Sequence, residues 1–219
     1  MANARSLEKK FDELTAQLLS TRMGIAVITE SWFNDRIDDS VLTIPGYVLQ
    51  RRDRPTRGGG VCTFVSSSIP FKRRSDLESP DHECMWLWLR PPRLPRPFSG
   101  IIVGAMYFPD APADEQRARA SYIIECIDSI KSAHPDCGVV LLGDFNTLDV
   151  KNILTNHTLK QLVREPTRGY SVLDLVISDL ASYYNKPVVS VHLGSSDHSS
   201  VYWVPNPNYG SSKLTAKKK

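Results

Sequence analysis

The stretch that most constrains the fold runs from residue 137 to residue 146 and reads CGVVLLGDFN. Its four consecutive apolar residues, 139–142, include two β-branched ones and predict a strand that is buried on both faces of a sheet. We expect Gly143 to end this strand, so that Asp144 and Asn146 project together from its end. That placement suits a metal ion or a nucleophilic water. The alternative is a polar turn, because Gly, Asp and Asn are common in turns.

Composition sets broad limits on the protein. The chain has 219 residues, of which 41% are hydrophobic and 23% are charged. We expect one domain over residues 1–204 and a flexible basic tail over residues 205–219. The net charge of +3 is small, so binding of nucleic acid requires local clusters of Arg and Lys. No long apolar window or signal-peptide core occurs, which predicts an intracellular protein without membrane association.

The four cysteines show no spacing typical of a metal site. We expect buried free thiols in a reducing compartment. Their positions are Cys62, Cys84, Cys126 and Cys137.

Polar residues at the ends of further apolar runs repeat the pattern of the opening stretch. Glu30 follows the predicted strand 25–28, although a solvated acid or a helix-start charge is the alternative there. Asp174 lies among apolar residues of a strand over 172–177, and such a local conflict tends to mark a functional or hydrogen-bonded site. Asp197 and His198 precede another strand, at 201–204.

The periodicity of the remaining segments predicts the layers around these strands. Leu residues and Phe11 recur at helical spacing over residues 7–18, with Ser6 as the N-cap and Gly24 as the end of the helix. A second helix is predicted over 114–133. The segments 85–90 and 101–106 are expected to pair as a hairpin. Because predicted strands outnumber helices by roughly two to one, we expect an α/β sandwich with mixed sheets.

Four arginines precede a run of three glycines, Gly58 to Gly60. They are expected either to contact phosphates, with the glycines allowing close approach of a ligand, or to form a solvated surface hairpin. They are Arg51, Arg52, Arg54 and Arg57.

Collected together, the polar residues at strand ends form an acid-rich set with one histidine and no nucleophilic Ser or Cys. Hard oxygen ligands favour Mg²⁺ or Mn²⁺ over zinc. A metal held by acids, a carboxylate beside a water and an imidazole are the parts needed to hydrolyse a phosphate ester. The set is Asn3, Glu30, Tyr107, Asp144, Asn146, Asp174, Asp197 and His198.

Eight short motifs, taken in order, resemble the endonuclease/exonuclease/phosphatase superfamily, which includes deoxyribonuclease I and the apurinic/apyrimidinic endonucleases. Within it, the chain is most similar to the endonuclease domain of non-LTR (LINE-type) retrotransposons. The motifs span almost the whole chain, and each is weak by itself. They are NARSL at 3–7, ITESW at 28–32, GGGV at 58–61, MYFPD at 106–110, GDFN at 143–146, EPTR at 165–168, SVLDLVIS at 171–178 and SSDH at 195–198.

The resemblance implies a four-layered α/β sandwich, with two mixed β-sheets flanked by helices, as in deoxyribonuclease I. It implies Mg²⁺ bound by Glu30 with help from Asn3, and Asp197 at the border of the metal site. Asp144 would activate water, and Asn146 would hydrogen-bond beside it.

The resemblance also implies the remaining contacts. Tyr107 would contact the phosphate, His198 would stabilise charge on phosphorus, and Asp174 would hold the imidazole. DNA contacts are expected at Thr167, Arg168 and Ser196, in addition to the arginine cluster.

Two positions depart from the family. Only Met1 and Ala2 precede Asn3, where the family has a full strand; either that strand is lost or the sequence begins late. The position after Tyr107 is usually basic, and here it is Phe108, which removes one possible phosphate contact.

The function implied is a Mg²⁺-dependent endonuclease that nicks duplex DNA and leaves a 3′-hydroxyl for a reverse transcriptase module. We expect a monomer in the nucleus that consists of the nuclease module or a remnant of it. An abasic-site repair nuclease, a phosphatase and an inactive DNA-binding relic are the alternatives.

Overall fold

The strands form two mixed sheets in the computed structural model, which describes residues 1–207. The first sheet contains, in order across it, β1 (Ala2–Asn3), β2 (Ile25–Thr29), β4 (Val61–Ser66) and β3 (Tyr47–Arg52). The second contains β5 (Phe71–Arg73), β6 (Glu83–Leu89), β7 (Ile101–Tyr107), β8 (Gly138–Asp144), β10 (Asp174–Ser178) and β9 (Lys160–Gln161). Only β1–β2 and β7–β8 are parallel pairs within these two sheets.

A hairpin of two further strands, β11 (Val188–His192) and β12 (Ser199–Tyr202), extends the first sheet. The backbone of Val201 exchanges hydrogen bonds with Met1, so that β12 lies beside the start of β1.

Helices cover the outer face of each sheet. Helix α1 (Phe11–Thr21) buries Leu14 and Leu18 against the first sheet. Helices α2 (Ala113–Ala133) and α3 (Lys151–Asn156) pack on the second. Between the sheets, Val27 packs with Met85 and Ala105. These four layers confirm the predicted fold class.

The predicted first helix forms, but both of its predicted ends are wrong. A 3₁₀ turn at Glu8–Lys10 precedes α1. Ser6 makes no cap; it has a φ of +78° and its backbone N–H donates to the carbonyl of Glu30. The helix ends before Gly24, because Arg22 takes the left-handed conformation that terminates it.

The hairpin predicted from residues 85–90 and 101–106 is confirmed as the antiparallel pair β6–β7.

All four cysteines are buried and free, as expected. Among the helices of residues 1–207, none has both the length and the apolar character needed to cross a bilayer.

Gly143 does not end its strand, contrary to the sequence-based expectation. Strand β8 continues through it to Asp144, and Gly143 has a φ of +144°. A Cβ atom at this position would lie 1.9 Å from the carbonyl oxygen of Met106 on β7. Glycine is therefore required because the neighbouring strand approaches so closely.

The first strand has only two residues, which pair with Ile28 and Thr29. A largely apolar cavity of about 430 Å³ lies beside it, lined among others by Met1, Ile25 and Val201. Although β1 is short, its pairing places Asn3 beside Thr29, the last residue of β2.

The predicted basic tail falls mostly on residues 208–219, which lie outside the described residues. Its first part is bound to the domain, since Pro205 forms a bridge with Tyr184 and the N–H of Asn206 donates to the carbonyl of Tyr183.

We predict that Gly143→Ala destabilises the protein by at least about 3 kcal/mol, because the added methyl group overlaps a backbone carbonyl that cannot move without disrupting β7. Gly46→Ala is the matched control: Gly46 also has a positive φ, but a Cβ added there would have no atom within 4 Å of it. It should cost about 1–2 kcal/mol from backbone conformation alone. Urea denaturation measures the free energy of unfolding of both variants. If both lose the same amount of stability, the role given to Gly143 is contradicted.

Candidate active site

Polar side chains from both sheets meet at one edge of the sandwich. Asn3 ends β1 and Glu30 directly follows its parallel partner β2. Asp144 ends β8, and the antiparallel neighbour β10 begins at Asp174 directly opposite it. Tyr107 ends β7 beside Asp144. The topology thus brings these predicted residues together.

The side-chain amide of Asn3 joins the two sheets. Its Nδ2 donates to Glu30 Oε1 at 3.0 Å and to Asp144 Oδ2 at 2.9 Å. Its Oδ1 accepts the backbone N–H of Arg5 at 3.0 Å. Asn3 is fully buried, so both carboxylates are held in fixed positions.

Glu30 lies in a tight turn with a φ of +49°, and Trp32 follows with a φ of +58°. The indole Nε1 of Trp32 donates to Glu30 Oε2 at 3.2 Å. The backbone N–H groups of Ser31 and Trp32 donate to the carbonyls of Gly60 and Gly59. The glycine run therefore supports the turn that carries Glu30, a role that the sequence did not suggest.

Asp144, Asp174 and His198 form a buried cluster whose ligand atoms lie within 4.8 Å of one another. Asp174 Oδ2 is 2.8 Å from His198 Nδ1, as the predicted role of this acid requires. Burial, followed by the negative charge of Asp174, raises the pKa of Asp144 above its usual value. Burial by itself lowers the pKa of His198, but the hydrogen bond and charge of Asp174 raise it overall.

Asn146 supports Asp144 through its backbone. Its N–H donates to Asp144 Oδ1 at 3.0 Å, while its side-chain Nδ2 donates to the carbonyl of Phe108.

The Tyr107 ring is buried beneath the guanidinium group of Arg54, 5.7 Å from the ring centroid. Burial, with the charge of Glu30, raises the pKa of Tyr107 and keeps its hydroxyl protonated.

Thr167 and Ser196 are buried, and their hydroxyl groups hold the protein itself. Thr167 Oγ1 accepts the backbone N–H groups of Leu173 and Asp174 at 3.0 and 3.1 Å. Ser196 Oγ donates to the carbonyl of Asn3 at 2.7 Å. Contact of either residue with DNA stays a prediction.

Asp197, predicted at the border of the metal site, forms ion pairs with two arginines. Its carboxylate lies between two guanidinium groups, 2.7 Å from Arg168 and 3.6 Å from Arg5. Like Glu30, it lies outside the cluster of Asp144, Asp174 and His198. Two positive charges therefore face this carboxylate, and its place at the border of the metal site stays a prediction.

The predicted arginine cluster is mostly engaged in ion pairs. Arg51 pairs with Asp39, Arg52 with Glu78 and Arg54 with Glu83. These three side chains are partly buried, so neither a solvated hairpin nor a freely exposed phosphate site describes them. Arg57 is exposed, with its guanidinium group 6.0 Å from the Trp32 ring centroid. Their contact with DNA stays a prediction.

The donor set fits a divalent cation. Glu30 and Asp144 offer hard carboxylate oxygens that share one amide donor. Neither carboxylate has an ion pair with a basic side chain within residues 1–207. Two neighbouring acids without a protein cation provide suitable ligands for Mg²⁺ or Mn²⁺.

Three residues of the site were missed from the sequence. Lys10 is buried, and its Nζ donates to the carbonyls of Ala4 and Arg5 at 2.5 and 3.2 Å. Trp32 belongs to the same ITESW motif as Glu30, and this shared motif could have indicated that Trp32 is part of the site. Arg5 likewise belongs to the NARSL motif but was given no role, whereas Lys10 gave no signal because basic residues are common on helices.

A known family matches almost the whole chain. The model of the endonuclease/exonuclease/phosphatase family matches residues 2–198. Among curated proteins, no significant match was found.

Several solved structures share the fold. The AP endonuclease LMAP from Leishmania major is 15% identical, with a TM-score of 0.70 over 94% of this chain and 86% of that one. The endonuclease domain of TRAS1, a telomere-specific non-LTR retrotransposon, is 17% identical, with a TM-score of 0.67 over 94% and 96%. The 3′ phosphatase NExo from Neisseria, bound to a product DNA hairpin, is 14% identical, with a TM-score of 0.64 over 93% and 97%.

We predict that Thr167→Val lowers the free energy of unfolding by about 1–3 kcal/mol, because it leaves the N–H groups of Leu173 and Asp174 without their acceptor. Thr167→Ser retains the hydroxyl group, so its free energy of unfolding should fall distinctly less. Denaturant unfolding measures the difference. A valine variant as stable as the serine variant would show that these hydrogen bonds do not secure Asp174.

Proposed function

The chain belongs to the endonuclease/exonuclease/phosphatase family, and from this we propose that it is a metal-dependent endonuclease that nicks one strand of duplex DNA to leave a 3′-hydroxyl. The observation that carries the proposal is the convergence of Asn3, Glu30, Asp144 and the Asp174–His198 pair at one sheet edge. These groups supply a cation site, a base and an imidazole in one place.

Asp144 is the group we assign to orient and deprotonate the attacking water. Its Oδ1 and Oδ2 are held by Asn146 and Asn3, which fixes the direction of the carboxylate. Its raised pKa makes it a stronger base than an exposed aspartate.

His198 and Tyr107 are assigned to the phosphate. Asp174 holds Nδ1 of the imidazole and favours its protonated form, so Nε2 can donate to an oxygen on which negative charge develops. The protonated hydroxyl of Tyr107 is a second donor beside Asp144.

Glu30 and Asn3 are the residues that would hold the metal, with Asp144 beside them. A divalent cation bound there supplies a positive charge that polarises the phosphate. We propose Mg²⁺, with Mn²⁺ as a substitute, because the available ligands are oxygen atoms.

Similarity to the TRAS1 endonuclease domain over almost its whole length supports DNA nicking at a retrotransposon target site. On this proposal, the 3′-hydroxyl primes a reverse transcriptase module of the same element. The enzyme acts as a monomer in the nucleus, where its chromosomal substrate is found.

The segment that faces DNA offers little for reading sequence. The turn after Arg168 consists of Gly169 and a fully exposed Tyr170, and it closes at Ser171. So short a turn projects one large side chain, and we propose that DNA shape and deformability direct cleavage more than base contacts do.

We predict that purified protein with Mg²⁺ nicks supercoiled plasmid, and that Asp144→Asn and His198→Gln each lower the rate by at least about 100-fold, since each removes proton transfer or charge stabilisation. Gel analysis of open-circular product measures the rate. Asp128→Asn, on the outer face of α2, is the control and should nick normally, whereas a chelator should stop the reaction.

Nicking that survives either site substitution would contradict the assignment of these residues. Salt-dependent DNA binding with no nicking by the unaltered protein would instead favour an inactive DNA-binding relic.

A second candidate function is repair at abasic sites, favoured by the fold shared with the AP endonuclease from Leishmania major. Its distinguishing property is selectivity for a damaged duplex. A phosphatase acting at DNA 3′ ends is the corresponding alternative suggested by the Neisseria structure.

We predict similar turnover, within about threefold, on an intact duplex and on the same duplex with one abasic site, because a two-residue turn provides no large insertion into the DNA. Cleavage of matched labelled oligonucleotides measures the ratio, with a 3′-phosphorylated duplex in parallel. A preference of about 100-fold or more for the abasic or phosphorylated duplex, equivalent to roughly 2.7 kcal/mol, would replace the leading proposal.

A further inference from the structure

We propose that Arg5 and Arg168, held by Asp197, form a clamp that binds a backbone phosphate next to the reacting phosphodiester. This inference rests on the proposed function, since it concerns the same DNA substrate. In this clamp Arg5 binds phosphate, and Asp197 orients the two arginines instead of binding the metal as expected from the sequence.

The clamp is assembled from three segments that are distant in sequence. Arg5 follows β1, Arg168 begins the turn that leads to β10, and Asp197 immediately precedes His198. Arg168 Nη2 lies 2.7 Å from Asp197 Oδ2, and Arg5 Nη1 lies 3.6 Å from Oδ1. The longer distance of Arg5 leaves Oδ1 without a hydrogen bond.

The charge of the group favours an anion. Two guanidinium groups face one carboxylate, which leaves one net positive charge. The side chains of Arg5 and Arg168 are 56% and 46% exposed, so donor groups on both remain accessible. A guanidinium group has five N–H donors, and its planar geometry matches two oxygens of a phosphate.

The backbone of each arginine is tied to the reacting centre. Arg5 has a φ of +43°, and its N–H donates to the Oδ1 of Asn3. Lys10 fixes the carbonyl of Arg5 from the other side.

Arg168 exchanges backbone hydrogen bonds with Ser171 and follows Thr167, whose hydroxyl positions Asp174. A phosphate bound by both arginines would therefore lie at a fixed place relative to the Asp174–His198 pair. Such a contact sets the register of the DNA strand in the site.

Stability does not account for this arrangement. Ion pairs between exposed side chains contribute little stability because water screens them, so they do not offset the unfavourable left-handed conformation of Arg5. Metal binding does not account for it either, because the two arginines next to Asp197 repel a divalent cation.

The test measures DNA binding separately from cleavage. The variants Arg5→Gln and Arg168→Gln are compared with Arg22→Gln, which also alters an arginine of positive φ, but at the opposite end of β2 from Glu30. Binding of a fluorescein-labelled duplex is followed by anisotropy in Ca²⁺ across a salt series, and nicking is followed in Mg²⁺.

We expect each clamp variant to weaken binding on all sequences alike. The slope of log affinity against log salt should fall by roughly 0.9 for each phosphate that the variant no longer neutralises. KM for nicking should rise more than kcat falls, and Arg5→Lys should restore the salt slope. Arg22→Gln should match the unaltered protein.

Asp197→Asn separates the clamp from a metal site. We expect KM for nicking to rise, because the arginines are no longer oriented, while the Mg²⁺ concentration for half-maximal nicking is unchanged. A raised Mg²⁺ requirement would overturn the role given to Asp197.

The failure of the clamp and the failure of the proposed function give different results. If the unaltered protein nicks DNA but both arginine variants keep its affinity and salt slope, the clamp is wrong and the nuclease assignment stands. If the unaltered protein binds DNA without nicking, the nuclease assignment fails, and the salt slopes still decide whether the clamp exists. A protein that does not bind DNA overturns both.

Discussion

The amide group of Asn3 is the contact on which the geometry of the site depends. It donates to Glu30, which follows a strand of the first sheet, and to Asp144, which ends a strand of the second. One buried side chain therefore sets the spacing of the two acids. This explains why a strand of only two residues matters: β1 exists in the structure chiefly as the support that places Asn3 between the sheets.

The site concentrates negative charge that a structural core would avoid. Asp144 and Asp174 are direct cross-strand neighbours, an arrangement that destabilises a sheet when both are ionised. His198 compensates Asp174, whereas Asp144 has only amide donors. The remaining charge is what makes the edge suitable for a cation and for proton transfer.

Positive charge is distributed in a different way. Arg51, Arg52 and Arg54 are paired with carboxylates and secure loops around the site. Arg5 and Arg168 outnumber their single carboxylate, Asp197, at the rim. Counting basic residues in the sequence therefore does not show which arginines keep accessible donors, because the ion pairs of each one depend on the tertiary structure.

The sequence by itself indicated most of the longer strands and helices to within a few residues, because apolar runs and helical periodicity are local properties. The strands β3 and β5, which carry basic residues, were not predicted. The ordered motifs also indicated the layers and the residues that meet at the sheet edge. Only the tertiary structure decided which partner each polar group takes: the hydroxyl of Ser196, for example, bonds to the carbonyl of Asn3, 193 residues away. Such pairings depend on how the chain returns to the same edge, and no local pattern encodes that distance.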